Sequence, residues 1–239
     1  FSPVILVIAV ATVVTMLIYW AISAVFFRQD AAETMAGAAS SSYYNSVNIG
    51  LPIATYVLGD ATFVVPALVL QMAVLSPIVI AGLDRSSSGV AKSVLSGLTA
   101  PVVVAAFAGF AVSAASWTVP EPVLAPLEIL GGASIPLILM SFGASLTGEK
   151  VLTSHRGPTL TATALKLVGM PAVAWVVATL LGLHGQEMYA ALILCALPTA
   201  QNVYNYAATY RSGEVICRDT VFLTTFLALP AMLLIAGVF

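Results

Sequence analysis

Long uncharged runs dominate the pattern of hydrophobic and polar positions along this chain. Charged residues occur in small clusters, and most runs between them match or exceed the ~20 helical residues that cross a hydrocarbon core. The runs do not alternate polar with apolar positions as a membrane strand of ~9 to 11 residues does, so they predict helices. Eight spans are predicted, at residues 1–27, 34–59, 61–83, 93–120, 129–148, 157–183, 188–210 and 220–239.

Composition places these helices in a membrane. Hydrophobic residues make up 60% of the 239 positions and charged residues only 8%, against roughly 25% charged residues in soluble domains. A soluble fold could not bury that much apolar surface, so we expect an all-α polytopic protein of the cell membrane, surrounded by lipid. Cys195 and Cys217 have neither metal-ligand nor disulfide spacing, and we expect both to be small apolar fillers.

The basic residues predict how the spans are oriented. If the spans alternate in direction, seven of the basic residues fall on one face, and the loops of the opposite face contain no Lys or Arg. Because basic residues beside short loops stay on the cytoplasmic side, this face is predicted to be cytoplasmic, with both ends of the chain outside. The seven residues are Arg28, Arg85, Lys92, Lys150, Arg156, Arg211 and Arg218.

Two parts of the chain resemble each other. The stretch GLPIATYVLGD, which begins at Gly50, has a counterpart in ALPTAQNVYNYAATY, which begins at Ala196. The charge pattern gives the two stretches opposite directions through the membrane, which predicts inverted repeats. Residues 93–148 have no upstream partner, and the chain does not begin with Met. Two further helices before Phe1 would complete a five-plus-five arrangement, so eight of ten expected helices are present.

Each repeat carries a proline that is predicted to break a helix within the membrane. Pro52 and Pro198 remove a backbone donor and clash with the preceding turn, which frees backbone groups where only a cavity or a partner can satisfy them. A helix broken there directs the positive end of its dipole at the cavity, which favours an anion. A lone proline can also merely kink a helix, and that alternative is favoured for Pro101, Pro136 and Pro171.

Side-chain amides accompany both breaks, and they can bind a carboxylate without placing a fixed charge in the membrane. Asn45 and Asn202 are the strongest candidates for ligand contact and Asn205 the weakest, while Ser46 supplies a hydroxyl. The alternative is that these groups cap the freed backbone. The predicted substrate-binding residues are Asn45, Asn48, Gly50, Pro52, Pro198, Thr199, Gln201, Asn202 and Tyr206.

Lys166 is predicted to lie near the middle of the membrane. It follows Arg156 by ten residues, which places it roughly 15 Å deeper at ~1.5 Å per residue. An unpaired ammonium is costly there, so we expect it to steady the crossed half-helix C-termini or to attract the anion. A structural pairing with backbone carbonyls is the alternative. Neither broken span contains an acidic residue, and Glu128 is expected to be interfacial.

Five motifs resemble the auxin efflux carrier family, whose bacterial members include malonate and malate transporters. They are NSVNIGLP with YVLGD, PLILMSFGASL, LKLVGMP and ALPTAQNVYNYAATY. The resemblance implies ten helices in inverted halves, with the fourth and ninth broken and crossed. It places the family's crossover Asn on Asn45 and matches the second crossover at Pro198, Ala200, Asn202 and Tyr210. The short loop 84–92 favours the bacterial organic-acid branch.

The resemblance also implies an elevator-like carrier. Residues 1–83 and 151–239 would form the two halves of a moving transport domain, and residues 84–150 half of a scaffold that pairs in a homodimer. The function expected is secondary transport of mono- or dicarboxylates in a bacterial inner membrane, coupled to a proton or to no ion. Sodium is less favoured, and no cofactor, metal or nucleic acid is expected.

Two other functions are less consistent with the sequence. A sodium-coupled bile-acid-type symporter or a cation/proton antiporter would share this fold, but it would need acidic ion ligands at the crossover. An intramembrane enzyme is disfavoured because His155 and His184 lie at opposite membrane edges and cannot share a metal or relay a proton. No glycine-rich nucleotide loop occurs, so ATP is not the expected energy source.

Overall fold

The computed structural model describes residues 3–59, 63–84, 90–147 and 150–238, and no strand occurs among them. Four helices continue through a widened π-helical turn, at Ser23–Phe27, Ser46–Gly50, Gln71–Leu75 and Leu165–Gly169. The helices are α1 (Pro3–Ile22), α2 (Ala31–Ser42), α3 (Leu51–Tyr56), α4 (Val65–Leu70), α5 (Ser76–Leu83), α6 (Val90–Thr99), α7 (Pro101–Ala114), α8 (Glu121–Ser145), α9 (Arg156–Ala164), α10 (Met170–Leu180), α11 (Gly185–Ala196), α12 (Gln201–Tyr210) and α13 (Glu214–Val238).

Within the described residues, four continuous helical stretches are long and apolar enough to cross a membrane. They are Pro3–Phe27, Pro66–Leu83, Arg156–Leu180 and Glu214–Val238. The remaining predicted spans are divided into shorter helices or contain residues outside the described part. The chain is therefore a multi-pass membrane protein, and the number of eight spans stays a prediction.

The π turns explain why several prolines do not break their helices. The turns Ser46–Gly50, Gln71–Leu75 and Leu165–Gly169 each end two residues before a proline, at Pro52, Pro77 and Pro171. A proline lacks the backbone donor and crowds the carbonyl four residues earlier. A widened turn moves that carbonyl away, and the helix continues. Pro171 therefore lies inside a continuous helix, and so does Pro52 in the segment 46–56.

The break predicted at Pro52 is located elsewhere. The helix ends at Ser42, residues 43–45 are not helical, and Pro52 lies in the second half-helix with its side chain exposed. The second break agrees with the prediction, because Pro198 lies inside the non-helical residues 197–200. The first break follows three serines, and Tyr43 has an extended backbone with a ψ of 138°.

Two further boundaries differ from the sequence pattern. The predicted span 93–120 contains the two helices α6 and α7, which are separated at Ala100 directly before Pro101. The next helix begins at Glu121 rather than near residue 129, with a proline in its first turn, where the missing donor costs little. Glu128 consequently lies inside α8, and its side chain is exposed.

The buried core is built from the beginning and the end of the chain. One cluster packs α1 against α10 and α11 through residues such as Val7, Ala174 and Leu194. A second cluster packs α2 against α5, α9 and α13. Small residues allow close approach, since a Cβ at Gly37 would lie 2.0 Å from the Tyr19 hydroxyl. Most described side chains of α7 and α8 are exposed.

The helix ends that carry basic residues meet at one end of the molecule. The Leu152 backbone N–H donates to the buried Asp219 carboxylate (2.8 Å), and Gly157 lies against Phe27. A surface cavity there is bordered by Glu33, His155, Arg211, Gly213, Glu214, Val215 and Ile216. We call this the basic end. Arg85 lies outside the described residues.

The order of elements is repeated along the chain. A long helix, a broken helix and another helix occur in residues 3–83, and the same order occurs in residues 156–238. This order agrees with two related halves. Their inversion stays a prediction.

Candidate functional site

Hydrogen bonds connect the two helix breaks. The Asn45 backbone N–H donates to the Pro198 carbonyl (2.9 Å), and the Thr199 hydroxyl donates to the Ser40 carbonyl (2.7 Å). The Thr199 backbone N–H donates in turn to the Thr224 hydroxyl of α13 (3.1 Å). Backbone groups freed by each break thus find partners in the other half of the chain, as buried polar groups require.

A cavity of about 170 Å³ lies where the breaks meet, and we call it the crossover cavity. Two helical segments begin at it, namely residues 46–56 and α12, because their first residues border it. The positive ends of their dipoles therefore lie at the same space. The lining residues are Tyr44, Asn45, Ser46, Val47, Asn48, Leu68, Gln71, Met72, Ser134, Ala200, Gln201 and Asn202.

Three lining amides have their oxygens occupied. Asn45 Oδ1 accepts from the Asn48 backbone N–H (3.2 Å), Gln71 Oε1 from the Ser46 hydroxyl (3.2 Å), and Gln201 Oε1 from Asn48 Nδ2 (2.9 Å). Within the described part of the chain, the amino groups of Asn45, Gln71 and Gln201 make no hydrogen bond. These lining amides therefore offer donors to a ligand rather than acceptors.

Lys166 lies behind this cavity rather than in its lining. Its side chain is fully buried, and its ammonium donates to the Cys195 carbonyl in the last turn of α11 (2.8 Å) and to Met170 Sδ (3.0 Å). The nitrogen also lies 5.9 Å from the centre of the Tyr44 ring. A cation at a helix C-terminus offsets the negative end of the dipole. The carbonyl end of α11 is therefore compensated internally.

Of the ligand-contact candidates named from the sequence, five line the crossover cavity: Asn45, Ser46, Asn48, Gln201 and Asn202. Gly50 lets the two breaks approach, since a Cβ there would lie 2.9 Å from Leu197 Cδ1. The remaining predicted residues hold the surroundings together or point elsewhere.

Pro198 and Thr199 contribute the bonds between the breaks, and Pro52 is exposed. The Tyr206 hydroxyl is bonded with the Ser76 hydroxyl (3.2 Å) rather than facing the cavity. Asn205 borders a different cavity.

Three polar lining residues did not follow from the sequence. Gln71 is almost completely buried and lies in a π turn of the helix 66–83. Its amide within an otherwise apolar run was the signal that could have indicated it. Tyr44 directs its hydroxyl to the Ala67 carbonyl (2.9 Å), and Ser134 comes from α8. Neither carries a distinctive sequence signal.

The chemistry of the cavity is that of neutral polar groups, since Asn48 Oδ1 and the Asn202 side-chain amide also make no hydrogen bond within the described residues. None of its lining residues carries a formal charge, and no group of three or more His, Cys, Asp or Glu residues that could hold a metal ion occurs within the described residues. Free amide amino groups and helix N-termini suit a ligand rich in acceptors.

Broken helices that meet at a polar cavity in a multi-pass helical protein define a membrane transporter. Residues 86–236, more than half of the chain, match the family described as membrane transport protein. The chain belongs to this family, which is of the auxin efflux carrier type.

A similar protein is an uncharacterized transporter of Methanocaldococcus jannaschii. The two chains are 27% identical over 107 residues, which are 45% of this chain and 34% of that protein. The matched part thus spans about a third of the relative's length. This similarity agrees with a general transport function.

Proposed function

We propose that this protein is a secondary carrier of small organic anions, which it binds in the crossover cavity. This proposal rests mainly on one observation. The side-chain oxygens of Asn45, Gln71 and Gln201 accept hydrogen bonds from the protein, while their amino groups make none within the described residues and are free to bind a ligand. A carboxylate only accepts hydrogen bonds, so it matches such a lining.

The helix ends around the cavity also favour a negatively charged ligand. The positive ends of segment 46–56 and of α12 face the cavity, whereas the carbonyl end of α11 is bonded to the Lys166 ammonium. The Ser40 carbonyl near the end of α2 is bonded to the Thr199 hydroxyl. With the negative ends offset, the field at the cavity favours an anion. Lys166 thereby stands in for a coupling cation, and we propose coupling to a proton or to no ion.

The size of the cavity supports a short substrate. Its volume is about 170 Å³. Pockets for drug-sized ligands have about 300–1,000 Å³. A mono- or dicarboxylate of few carbon atoms, such as malonate or malate, fits this space better than a bile acid does.

The distribution of the core supports movement of one part against another. Residues 1–83 and 151–239 contribute most of the buried clusters, whereas most described side chains of α7 and α8 are exposed. We propose that the former move as a transport domain against a scaffold formed by residues 84–150, which pairs in a homodimer. In a bacterial cell the protein would reside in the inner membrane, with the basic end cytoplasmic and the C-terminus outside.

The test is counterflow in proteoliposomes that contain the full-length protein. The vesicles are preloaded with malonate, malate, succinate, indole acetate or taurocholate, and uptake of labelled malonate is followed with and without a sodium gradient. We expect exchange with short carboxylates that does not require sodium. Replacing Asn202 by Ala should reduce this exchange at least tenfold, whereas Glu128→Gln, at an exposed position of α8, should leave it unchanged.

Other outcomes would contradict the proposal. Strictly sodium-dependent movement of taurocholate would assign the protein to the sodium-coupled alternative. Normal exchange by Asn202→Ala together with Asn45→Ala would show that the substrate binds elsewhere.

A further inference from the structure

A second cavity lies between α8 and α12, next to the crossover cavity. It has a volume of about 350 Å³ and is lined by Leu137, Ser141, Tyr204, Asn205, Ala208 and Thr209. Phe142 and Tyr204 pack edge to face beside it, with ring centres 5.8 Å apart. Helix α8 thus contacts α12 around an open, partly polar space.

The two cavities follow each other along the same pair of helices. Ser134 and Asn202 line the crossover cavity, and Leu137 and Asn205, three residues further on in each helix, line the second one. Residues spaced by three and four positions share one helix face. The face of α8 that includes Ser141 and the face of α12 that includes Thr209 therefore form a groove, which we call the α8–α12 groove.

The polar groups of this groove are not used up by the protein. Within the described residues, neither the Asn205 amide nor the Ser141 hydroxyl makes a hydrogen bond, and the Thr209 hydroxyl donates only to the Asn205 carbonyl (2.8 Å). Ser141 and Thr209 are exposed and Asn205 is half-buried. An amide that faces hydrocarbon without a partner is costly. Water or a polar ligand in the groove removes that cost.

The groove leads in a defined direction. Helix α12 begins at the crossover cavity and ends at Tyr210, directly before Arg211 at the basic end. From Asn202 to Thr209 the helix rises by about 10 Å at ~1.5 Å per residue. The polar face of α12 thus extends from the crossover cavity almost to the basic end.

We propose that the α8–α12 groove is the path by which the anion passes between the crossover cavity and the basic end. Asn205 and Ser141, beside Thr209, form a second, weaker anion subsite on this path, in which the Asn205 amino group and the Ser141 hydroxyl donate to the carboxylate. This inference rests on the proposed function, because it takes the crossover cavity as the place from which the anion leaves.

The first experiment blocks the groove in the full-length protein. Ala208→Phe fills the second cavity without touching a lining residue of the crossover cavity, and Ala172→Phe, at an exposed position of α10, is the matched control. We expect Ala208→Phe to reduce malonate counterflow at least tenfold while its equilibrium Kd for malonate changes less than threefold. Transport equal to that of Ala172→Phe would overturn the path. Failure of the parent protein to bind any short carboxylate would instead overturn the proposed function.

A second experiment needs no substrate and tolerates a variant that transports poorly. Thr209→Cys is treated with a charged, membrane-impermeant thiol reagent, and Leu160→Cys, an exposed apolar position one turn after Arg156, is the lipid-facing control. Cys195 and Cys217 are buried, so the parent gives the background. We expect Thr209→Cys to react at least ten times faster than Leu160→Cys. Equal rates would mean that lipid or another protein segment fills the groove, and would overturn the inference.

Discussion

Asn45 shows how one side chain can serve both the break and the ligand. Its oxygen accepts from the Asn48 backbone N–H, which caps the following helical segment. A backbone N–H can be paired only with an acceptor, so the amide is oriented with its amino group away from Asn48. The alternatives of capping and ligand contact therefore do not compete at this residue. The oxygen caps the backbone, and the amino group remains available.

Substituting Asn45 by Asp separates these two tasks. Asp keeps an oxygen to cap the Asn48 N–H, so the variant should fold and insert like the parent. Its second oxygen replaces the free amino group and brings negative charge to the cavity. We expect the Kd for malonate at neutral pH to rise at least tenfold, measured by calorimetry on the purified protein. Unchanged affinity would show that Asn45 does not face the substrate.

The two ends of the half-helices are treated differently by the protein. The carbonyl ends have hydrogen-bond partners within the protein, whereas the N-terminal ends lie at the cavity. Near the breaks, the Ser40 carbonyl accepts a hydrogen bond from Thr199, and the Cys195 carbonyl accepts one from Lys166. The N-terminal ends of segment 46–56 and of α12 instead border the cavity. A symmetrical arrangement of uncompensated ends would give no net preference for the sign of a ligand. The proposed preference for an anion thus depends on how each half-helix is terminated, and Lys166 is the charged part of that termination.

Replacing Lys166 tests this role with a matched pair of variants. Lys166→Gln can still donate to the Cys195 carbonyl but carries no charge, whereas Lys166→Met does neither. Charge-assisted hydrogen bonds contribute about 1.5–3 kcal/mol, so Met should lower the Tm in detergent more than Gln does. Both should weaken malonate binding about five- to tenfold, because we expect the lost positive charge to have contributed about 1 kcal/mol to the binding of an anion. If Gln binds malonate like the parent, the hydrogen bond alone matters.

The arrangement of the helices brings distant parts of the chain to one end. Helix ends that carry Arg28, Arg156, Arg211 and Arg218 lie near one another, and the placement of all seven basic residues on one face stays a prediction. The loop 115–120 between α7 and α8 is predicted to lie on the opposite face. This two-sided arrangement gives a direct test of the orientation.

Single cysteines in two exposed loop positions should report opposite sides of the membrane. Trp117→Cys lies between α7 and α8, and Ser154→Cys lies directly before α9, at the basic end. Because basic loops are retained in the cytoplasm, we expect an impermeant thiol reagent to label Trp117→Cys in intact cells and Ser154→Cys only in inverted membranes. Labelling of both from the same side would contradict the predicted topology.

The sequence alone determined the properties that depend on neighbouring residues. Run length and charge gave a multi-pass helical membrane protein, and motifs gave the family that the comparison then showed. The amides near Pro198 drew attention to Gln201 and Asn202, and both line the cavity. Such signals are local, because hydrophobicity, helix period and proline chemistry act over a few positions.

The tertiary structure decided what depends on contacts between distant residues. The π turn at Ser46–Gly50 accommodates Pro52, and the first break lies at residues 43–45, where the Pro198 carbonyl supplies a partner for Asn45. Gln71 belongs to the cavity because the helix 66–83 packs beside the breaks. Lys166 finds its carbonyl partner 29 positions away. No pattern along the chain specifies these pairings, because they arise only when buried backbone groups of separate helices must satisfy one another.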